Sequence, residues 1–422
     1  MLKKGQIYEV TIEETKFPNK GIAKIEDKKI IIKNAIEGQK VSCAITKNRN
    51  DDGQARLLEV IEKSSIEDSV PFCQHFGACG GCAYQTISYE NQLKFKEKQV
   101  KELIDNATCG RTYSYHGINP SPMAKEYRNK MEFSFGDEVK DGPLALGLHK
   151  INSMYDIVSI KDCKLVSNDF NKLVECALAY GKGHGYSYYK KMKHVGFLRH
   201  LLVRRSISDN SLLVAIVTSS QDDLDTEDFT NRLLNLKLDG KITGILHIVN
   251  DSKADVVQSD KTYVLYGQDY FYESILGLKF KITPFSFFQT NTKGAEVLYN
   301  VARKYVGDTK DKVVFDLYSG TGTIAQMLAS VAKKVVGVEI VEEAVEAARE
   351  NAKLNNLDNC EFIAGDVLTV IDELEDKPDV IVVDPPRSGV NPKAVKKLAA
   401  YEINQIVYIS CNPVSLADNI EE

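Results

Sequence analysis

The stretch that most constrains the fold lies beyond about Lys281. There, short apolar runs alternate with helical patterns, as in "KVVFDLYSGTGTIAQMLASVAKKVVGVEIVEEAVEAARENAKLNN" and "CEFIAGDV…PDVIVVDPPRSGVNPKAVKKLAAYEINQIVYIS". Parallel strands covered by helices on both faces read as continuous hydrophobic runs. Strand–helix alternation of this kind predicts a doubly wound α/β domain. Each run ends in a polar or reactive residue: Asp316 closes "VVFD", Glu339 "VVGVE", Asp366 "FIAGD", Asp384 "DVIVVD" and Cys411 "IVYISC". In open α/β sheets, ligands bind at the carboxyl ends of the strands, so these five residues are expected to line one crevice.

The first of these ends carries Tyr318-Ser319-Gly320-Thr321-Gly322-Thr323, which opens a helix. Glycines at such a turn let the backbone bend sharply and approach a ligand. Glu339 stands 23 positions after Asp316, a spacing that suits a carboxylate on ribose hydroxyls. A nicotinamide site normally adds a third glycine, whereas Gly322 is followed here by Thr323-Ile324-Ala325. The Asp-X-X-X-Gly-X-Gly loop resembles that of S-adenosylmethionine (SAM) methyltransferases. Asp366 also reads as an ordinary surface turn acid.

Cys411 adds a thiol to a SAM crevice. Oxygen and nitrogen nucleophiles attack SAM directly, but carbon 5 of a pyrimidine is too weakly nucleophilic to do so. A thiolate adding to carbon 6 turns the ring into an enolate, and carbon 5 becomes reactive; this is covalent catalysis. It needs an accessible, stabilised thiolate. A buried structural thiol is the ordinary fate of a cysteine, but the Ser-Cys-Asn-Pro context beside the SAM half favours the nucleophile.

Upstream, residues 1 to about 63 hold short β-rich runs ("QIYEVTIEET", "GIAKIED", "KKIIIKNAI", "QKVSCAITKN", "QARLLEVIEK") separated by turn residues, which suits a five-stranded oligonucleotide-binding type barrel. A cysteine-rich loop follows. Cys73-x5-Cys79-x2-Cys82 has metal-type spacing, and Gly77, Gly80 and Gly81 let the loop wrap. Cys163 is the best candidate for a fourth ligand. Four thiolates suit zinc or an iron–sulfur cluster, with His75 an alternate zinc ligand. "SYENQLKFKEKQVKELIDN" predicts a helix whose apolar stripe is Leu93, Val100, Leu103 and Ile104. Strand-like stretches then predominate to about Gly277. Within them, Gly181 to Arg205 holds seven Lys/Arg, three His and no acid, although the chain's net charge is −5. Lys182, Lys190, Lys191, Lys193, Arg199, Arg204 and Arg205, interleaved with Tyr186, Tyr188, Tyr189 and Phe197, are expected to face RNA. No apolar run approaches the roughly 18 residues of a membrane span, and the N-terminus has no secretory h-region. A cytoplasmic, monomeric protein is expected.

In order along the chain, "YRNKMEFSFG", "LRHLLVRR", "FSFFQTN", "DLYSGTGTIA", "DPPRSG" and "ISCNP" closely resemble the motifs of RumA/TrmA-type RNA uracil-C5 methyltransferases, and among them the RumA-like 23S rRNA enzymes. The resemblance implies a multidomain α/β and β protein. Its parts would be an N-terminal TRAM barrel (1–63), a central iron–sulfur and RNA-binding domain (64–280, its helix at about 88–106 packing on the catalytic part) and a Rossmann-like methyltransferase domain (281–422). It implies Cys411 as nucleophile. Gln289, Tyr318, Thr323, Glu339, Asp366 and Asp384 would contact SAM or uracil, and Cys73, Cys79, Cys82 and Cys163 would hold a [4Fe-4S] cluster. The family's proton-abstracting Glu is placed beyond Glu422, so a missing C-terminal end is expected. The substrate implied is a uridine of 23S rRNA, not DNA. A tRNA T-loop, or a non-catalytic iron–sulfur RNA-binding role, is the alternative.

Overall fold

The structure is a computed structural model of the 422-residue chain, describing residues 2–48, 52–253, 257, 259–374, 376–401 and 403–422. Contacts divide it into two compact units, one comprising Met1–Phe76, Cys82–Ile118 and Pro413–Glu421, the other Gly77–Gly81, Asn119–Asn412 and Glu422.

In the first unit, strands β1 (Ile7–Thr11), β2 (Glu14–Lys16), β3 (Lys20–Ile25), β4 (Lys28–Lys33), β5 (Lys40–Asn48) and β6 (Asp52–Glu62) form a sheet ordered β1-β5-β6-β4-β3-β2. Its pairs are antiparallel except β4 with β6. Alternate residues such as Ile30 and Ile32, or Val41, Cys43 and Ile45, point into one core, as the period of a pleated strand requires. Among the described residues there are six strands rather than the expected five. The reason is that "QIYEVTIEET" breaks: the Ile12 amide bonds Gln39 and the Glu13 amide bonds Ile22, so the run changes partner from β5 to β3.

Helix α1 (Tyr89–Ala107) forms where periodicity places it, but its buried residues are Phe95, Gln99 and Ala107. The expected stripe of Leu93, Val100, Leu103 and Ile104 is only half-buried. Phe95 sits in a small cluster with Ile36 and Ile87, its ring edge-on to Tyr84 at 5.5 Å. Within this unit α1 also runs against the C-terminal helix Pro413–Glu421.

The second unit begins with β7 (Lys130–Asp137), β8 (Leu144–His149), β9 (Ile157–Ser159), α2 (Asn168–Gly183), β10 (Leu198–Arg205), β11 (Ser211–Thr218), α3 (Thr226–Leu234), β12 (Lys241–Val249) and β13 (Lys261–Gly267). The strands form a sheet ordered β13-β12-β11-β10-β7-β8-β9. One face, with Leu201, Val203, Val214 and Ile216, packs on Phe170, Leu173, Val174 and Phe229 of the helices. The other, with Leu202, Leu213, Ala215 and Val217, shares a core with the hairpin β14 (Phe271–Ile275) and β15 (Leu278–Ile282) and with α4 (Thr292–Val306). Strand β10 is therefore buried on both faces.

That burial corrects the reading of the basic stretch. Phe197, Tyr189, Arg199 and Arg204 are core residues, with Arg199 3 % and Arg204 1 % exposed. Arg199 donates to the carbonyls of Asn250 and Ser252 at 2.7 and 2.8 Å, and its guanidinium lies 4.3 Å from the Tyr189 ring centre. Tyr188 is tied to Asp137, Tyr186 to the Asp223 carbonyl, Lys190 to Asp141 and Arg205 to Asn210. Lys182 and Lys193 are exposed. Arg199 and Arg204 of β10 are therefore internal, while the exposed lysines Lys182 and Lys193 precede the strand.

The chain continues through β16 (Val313–Leu317), α5 (Thr323–Ala329), β17 (Lys334–Glu339), α6 (Glu342–Leu354), β18 (Cys360–Ala364), α7 (Val367–Glu373), β19 (Val380–Val383), α8 (Pro392–Ala399), β20 (Ile406–Tyr408) and the C-terminal helix, α9. The strands make an all-parallel sheet ordered β18-β17-β16-β19-β20. Val314, Val335, Val380 and Val382 bury one face against α4 and α5, while Phe315, Val336, Ile381 and Val383 bury the other against α7 and α8. No helix among the described residues is long and apolar enough to cross a membrane.

Candidate active site

The strand order reverses at β16, with β17 and β18 on one side and β19 and β20 on the other. Such a switch point opens the crevice where ligands bind. Around it stand Asp366, Glu339, the Tyr318–Thr323 loop, Asp384 and Cys411, each at the carboxyl end of its strand. Neighbouring strands lie about 4.8 Å apart, so the Cys411 strand is about 10 Å from the glycine loop.

The loop is held in an unusual conformation. Tyr318, Gly320 and Gly322 have φ of +65°, +54° and +75°. A Cβ on Gly322 would meet the Phe362 ring at 2.6 Å, so only glycine fits where α5 begins. A Cβ on Gly320 would meet nothing within 4 Å, which marks the open side of the loop. The Ser319 amide bonds the Val338 carbonyl, anchoring the loop to β17. Glu339 accepts the Gly320 amide at Oε2 and the Val341 amide at Oε1, both at 3.0 Å. Its carboxylate is thus fixed against the glycine loop, with lone pairs left for a hydroxyl. Thr323 opens α5 and is half-buried. Asp366 is exposed and caps α7, accepting the Leu368 amide at 2.8 Å.

Asp316 is wholly buried, and its carboxylate oxygens have no hydrogen-bond partner. Burial, then the neighbouring Asp384, holds its carboxyl well above the usual range. Burial pushes Asp384 itself up to about 6. Tyr299 of α4 is buried beside both acids, with the Gln289 side chain near its phenol, and burial and the two carboxylates raise its pKa. Gln289 lies in the loop ahead of α4 and does not cap that helix; Asn291 does, through the Gly294 amide.

Cys411 is exposed. The Ile409 amide extends β20 pairing to the Val383 carbonyl at 2.8 Å. Ser410 Oγ accepts the Asn412 amide and donates to the Asn412 carbonyl, and Asn412 Nδ2 donates to the Arg387 carbonyl at 2.9 Å. The Tyr408 hydroxyl accepts the Val390 amide at 3.3 Å. The Asp384–Val390 loop and the cysteine turn are therefore stitched together. Burial raises the Tyr408 phenol, with Cys411 and Asp384 adding to it, and all three stand at the carboxyl ends of β19 and β20 on one edge of the sheet. Sequence reasoning missed Tyr299, Tyr408 and Asn412. Asn412 was at least legible within Ser-Cys-Asn-Pro; nothing in the local sequence marks Tyr299.

The cysteine loop is arranged differently. Cys79 forms a bridge with Lys150, and its Sγ accepts the Gly81 amide at 3.4 Å. The Cys163 amide donates to Asn171 Oδ1 at 2.8 Å. Cys79 and Cys163 are buried, Cys73 and Cys82 half-buried. Among the described residues no group of three or more His, Cys, Asp or Glu is gathered as a metal ion needs.

Comparison with known proteins agrees with this geometry. The profile of the family described as tRNA (Uracil-5-)-methyltransferase matches residues 88–422, and that of the TRAM domain matches residues 2–58. An RNA methyltransferase of Clostridium tetani is 47 % identical over 420 residues, covering 100 % of this chain and 92 % of its own length. One of Clostridium acetobutylicum is likewise 47 % identical, over 421 residues, with 100 % and 92 % covered. The crystal structure of Pyrococcus abyssi tRNA (uracil-54, C5)-methyltransferase with S-adenosyl-L-homocysteine superposes with a TM-score of 0.75 at 26 % identity, covering 98 % of this chain and 92 % of that one. The chain is thus a SAM-dependent RNA methyltransferase and belongs to the tRNA (uracil-5-)-methyltransferase family, with an N-terminal TRAM domain.

Proposed function

We propose that the chain methylates carbon 5 of a uridine in 23S rRNA through a Cys411–carbon 6 adduct. The observation that carries this reading is the exposed Cys411 in the same crevice as the glycine loop, beside a partly buried Asp384. SAM, when bound, supplies an electrophilic methyl group on a sulfonium. The open side of Gly320 leaves room for it, Glu339 would take the ribose hydroxyls, and Tyr318, Thr323 and Asp366 would border the adenosine. Asp384 and Gln289 would hold the uracil or the methionine end. Cys411 Sγ adds to carbon 6 and pushes electrons onto the carbon-4 oxygen. Carbon 5 then takes the methyl group, with the sulfonium sulfur keeping the bond pair. Loss of the carbon-5 proton and elimination of the thiol regenerate Cys411. A base stacked in RNA must swing out to reach this crevice.

A tRNA T-loop is the second reading. The Pyrococcus abyssi enzyme is named for a tRNA uracil and shares the layout over 98 % of this chain. An N-terminal barrel therefore does not by itself separate the two substrates. Incubation with SAM and 5-fluorouridine-substituted 23S rRNA fragments or tRNA decides between them. Fluorine at carbon 5 cannot leave as a proton does, so the adduct persists on denaturing gels. No adduct with either RNA, or an adduct that survives Cys411→Ala, refutes the mechanism.

The resemblance-based reading also has Cys73, Cys79, Cys82 and Cys163 holding a [4Fe-4S] cluster. Support comes from the Cys spacing and from the Gly81 amide on the Cys79 sulfur, a contact that suits a cluster thiolate. Iron and sulfide counts on anaerobically purified protein test it. Zinc in place of iron overturns it.

A further inference from the structure

We propose that Arg204 is a positioning residue for methyl transfer, acting by setting the loop from Thr283 to Asn291 that presents Gln289. Three motifs of the sequence meet at this loop. Arg204, from "LRHLLVRR", is 1 % exposed. Its Nη1 donates to the carbonyls of Thr283, Pro284 and Ser286 at 2.6, 3.2 and 2.8 Å. Asn129, from "YRNKMEFSFG", approaches from the start of β7. Its amide bonds the Thr290 carbonyl at 2.8 Å, and its Nδ2 bonds the Gln289 carbonyl at 2.9 Å and Thr292 Oγ1 at 2.8 Å. Thr292 in turn donates to Glu273, a carboxylate only 1 % exposed.

Residues 283–291 have no strand or helix of their own. Their carbonyls must be satisfied from elsewhere, and Arg204 does so at one point. A buried cation is costly unless it is hydrogen-bonded; Nη1 is so used, while Nε is buried without a partner. An apolar residue would commonly serve a merely structural core position as well. Burial lowers the guanidinium pKa to about 10, and Glu132 acts on it only at longer range, so the carbonyl dipoles of the loop are its counter-charge. The fixed loop leaves Gln289 near Tyr299, which itself stands beside Asp316 and Asp384. A flexible loop would let Gln289 drift by an ångström or so, enough to cost about 100-fold in rate.

The inference rests on Gln289 acting in the site, and the test separates the two. Arg204→Met keeps the apolar stem and removes the donors. Expected results are faster amide hydrogen exchange in peptides covering 283–291, with the glycine loop unchanged, and a fall of at least about 10-fold in kcat. RNA affinity and its salt dependence stay as in the parent protein. Arg204→Lys recovers part of the rate. On a Gln289→Ala background, Arg204→Met costs less than about threefold, because residues acting through one another are not additive. Unchanged loop exchange refutes the proposal, as do additive losses. So does weaker RNA binding with a shallower salt slope, which would make Arg204 a phosphate contact. Full activity of Gln289→Ala alone refutes the role assigned to Gln289 and leaves the exchange data to decide the clamp. Asn129→Ala passes through the same assays; if Arg204→Met does not fold, unchanged loop exchange in Asn129→Ala refutes the proposal.

Discussion

Replacing Asp384 by Asn should strengthen the fold while abolishing the reaction. Burial raises the Asp384 carboxyl from 3.8 to about 6. An acid whose folded pKa lies above its unfolded pKa holds a proton more tightly when folded. Its penalty is therefore absent below 3.8, grows as pH rises to about 6, and is complete above that. At about 1.4 kcal/mol per pKa unit, the upper bound is about 3 kcal/mol above neutrality. Asp384 is half-buried rather than sealed, so screening by crevice water brings this to about 1–2 kcal/mol. Asn keeps the shape and removes the charge. It also relieves Asp316, whose carboxyl Asp384 helps to hold up. The chain has no Trp, so urea unfolding is followed by far-ultraviolet circular dichroism, at pH 8 and pH 5. Asp384→Asn should raise stability by about 1–2 kcal/mol at pH 8 and by about half that at pH 5. A loss of stability at pH 8, or the same gain at both, refutes the argument from burial. Methylation should fall by at least about 100-fold in either case, if Asp384 touches the uracil.

Cys411→Ala should eliminate both methylation and the fluorouridine adduct yet shift stability by under about 0.5 kcal/mol, since an exposed side chain is removed; thermal melts and gel-shift assays check both. Gly322→Ala should destabilise by about 2–4 kcal/mol, from a left-handed backbone and a 2.6 Å approach to Phe362, and should weaken S-adenosylhomocysteine binding in calorimetry. Glu339→Gln should lower that affinity about 10-fold, as a charge-assisted bond becomes a neutral one, with RNA affinity unchanged. Lys193→Ala, at an exposed position, should reduce the slope of log affinity against log salt by about 1 if the lysine meets a phosphate.

The strand ends were legible in the sequence because a buried parallel strand is a short apolar run, and its end is where polarity returns. That one-dimensional signal located Asp316, Glu339, Asp384 and Cys411, and the parallel order of the sheet then placed them on one edge. The glycine loop was legible too: Gly322 sits where any side chain would strike Phe362. Composition misled in the basic stretch. Charge along a sequence says nothing about which side of a strand is covered, and β10 turned out to lie between β11 and β7 with helices on one face and a hairpin on the other. Arg199 and Arg204 therefore became internal donors to carbonyls. The apolar stripe of α1 failed similarly, since Phe95 rather than Leu93, Val100, Leu103 and Ile104 met a core.

By itself, the sequence determined the α/β class, the crevice residues at the strand ends, and the family they belong to, because these depend on local patterns of burial and turn chemistry. Only the tertiary structure decided that Tyr299 stands beside two carboxylates, that Asn412 and Tyr408 stitch the cysteine turn to the Asp384 loop, and that Asn129 and Arg204 hold the loop that carries Gln289. Those contacts join residues up to 160 positions apart, and no local pattern encodes a partner that distant; packing of the two sheets against a shared core brings them together.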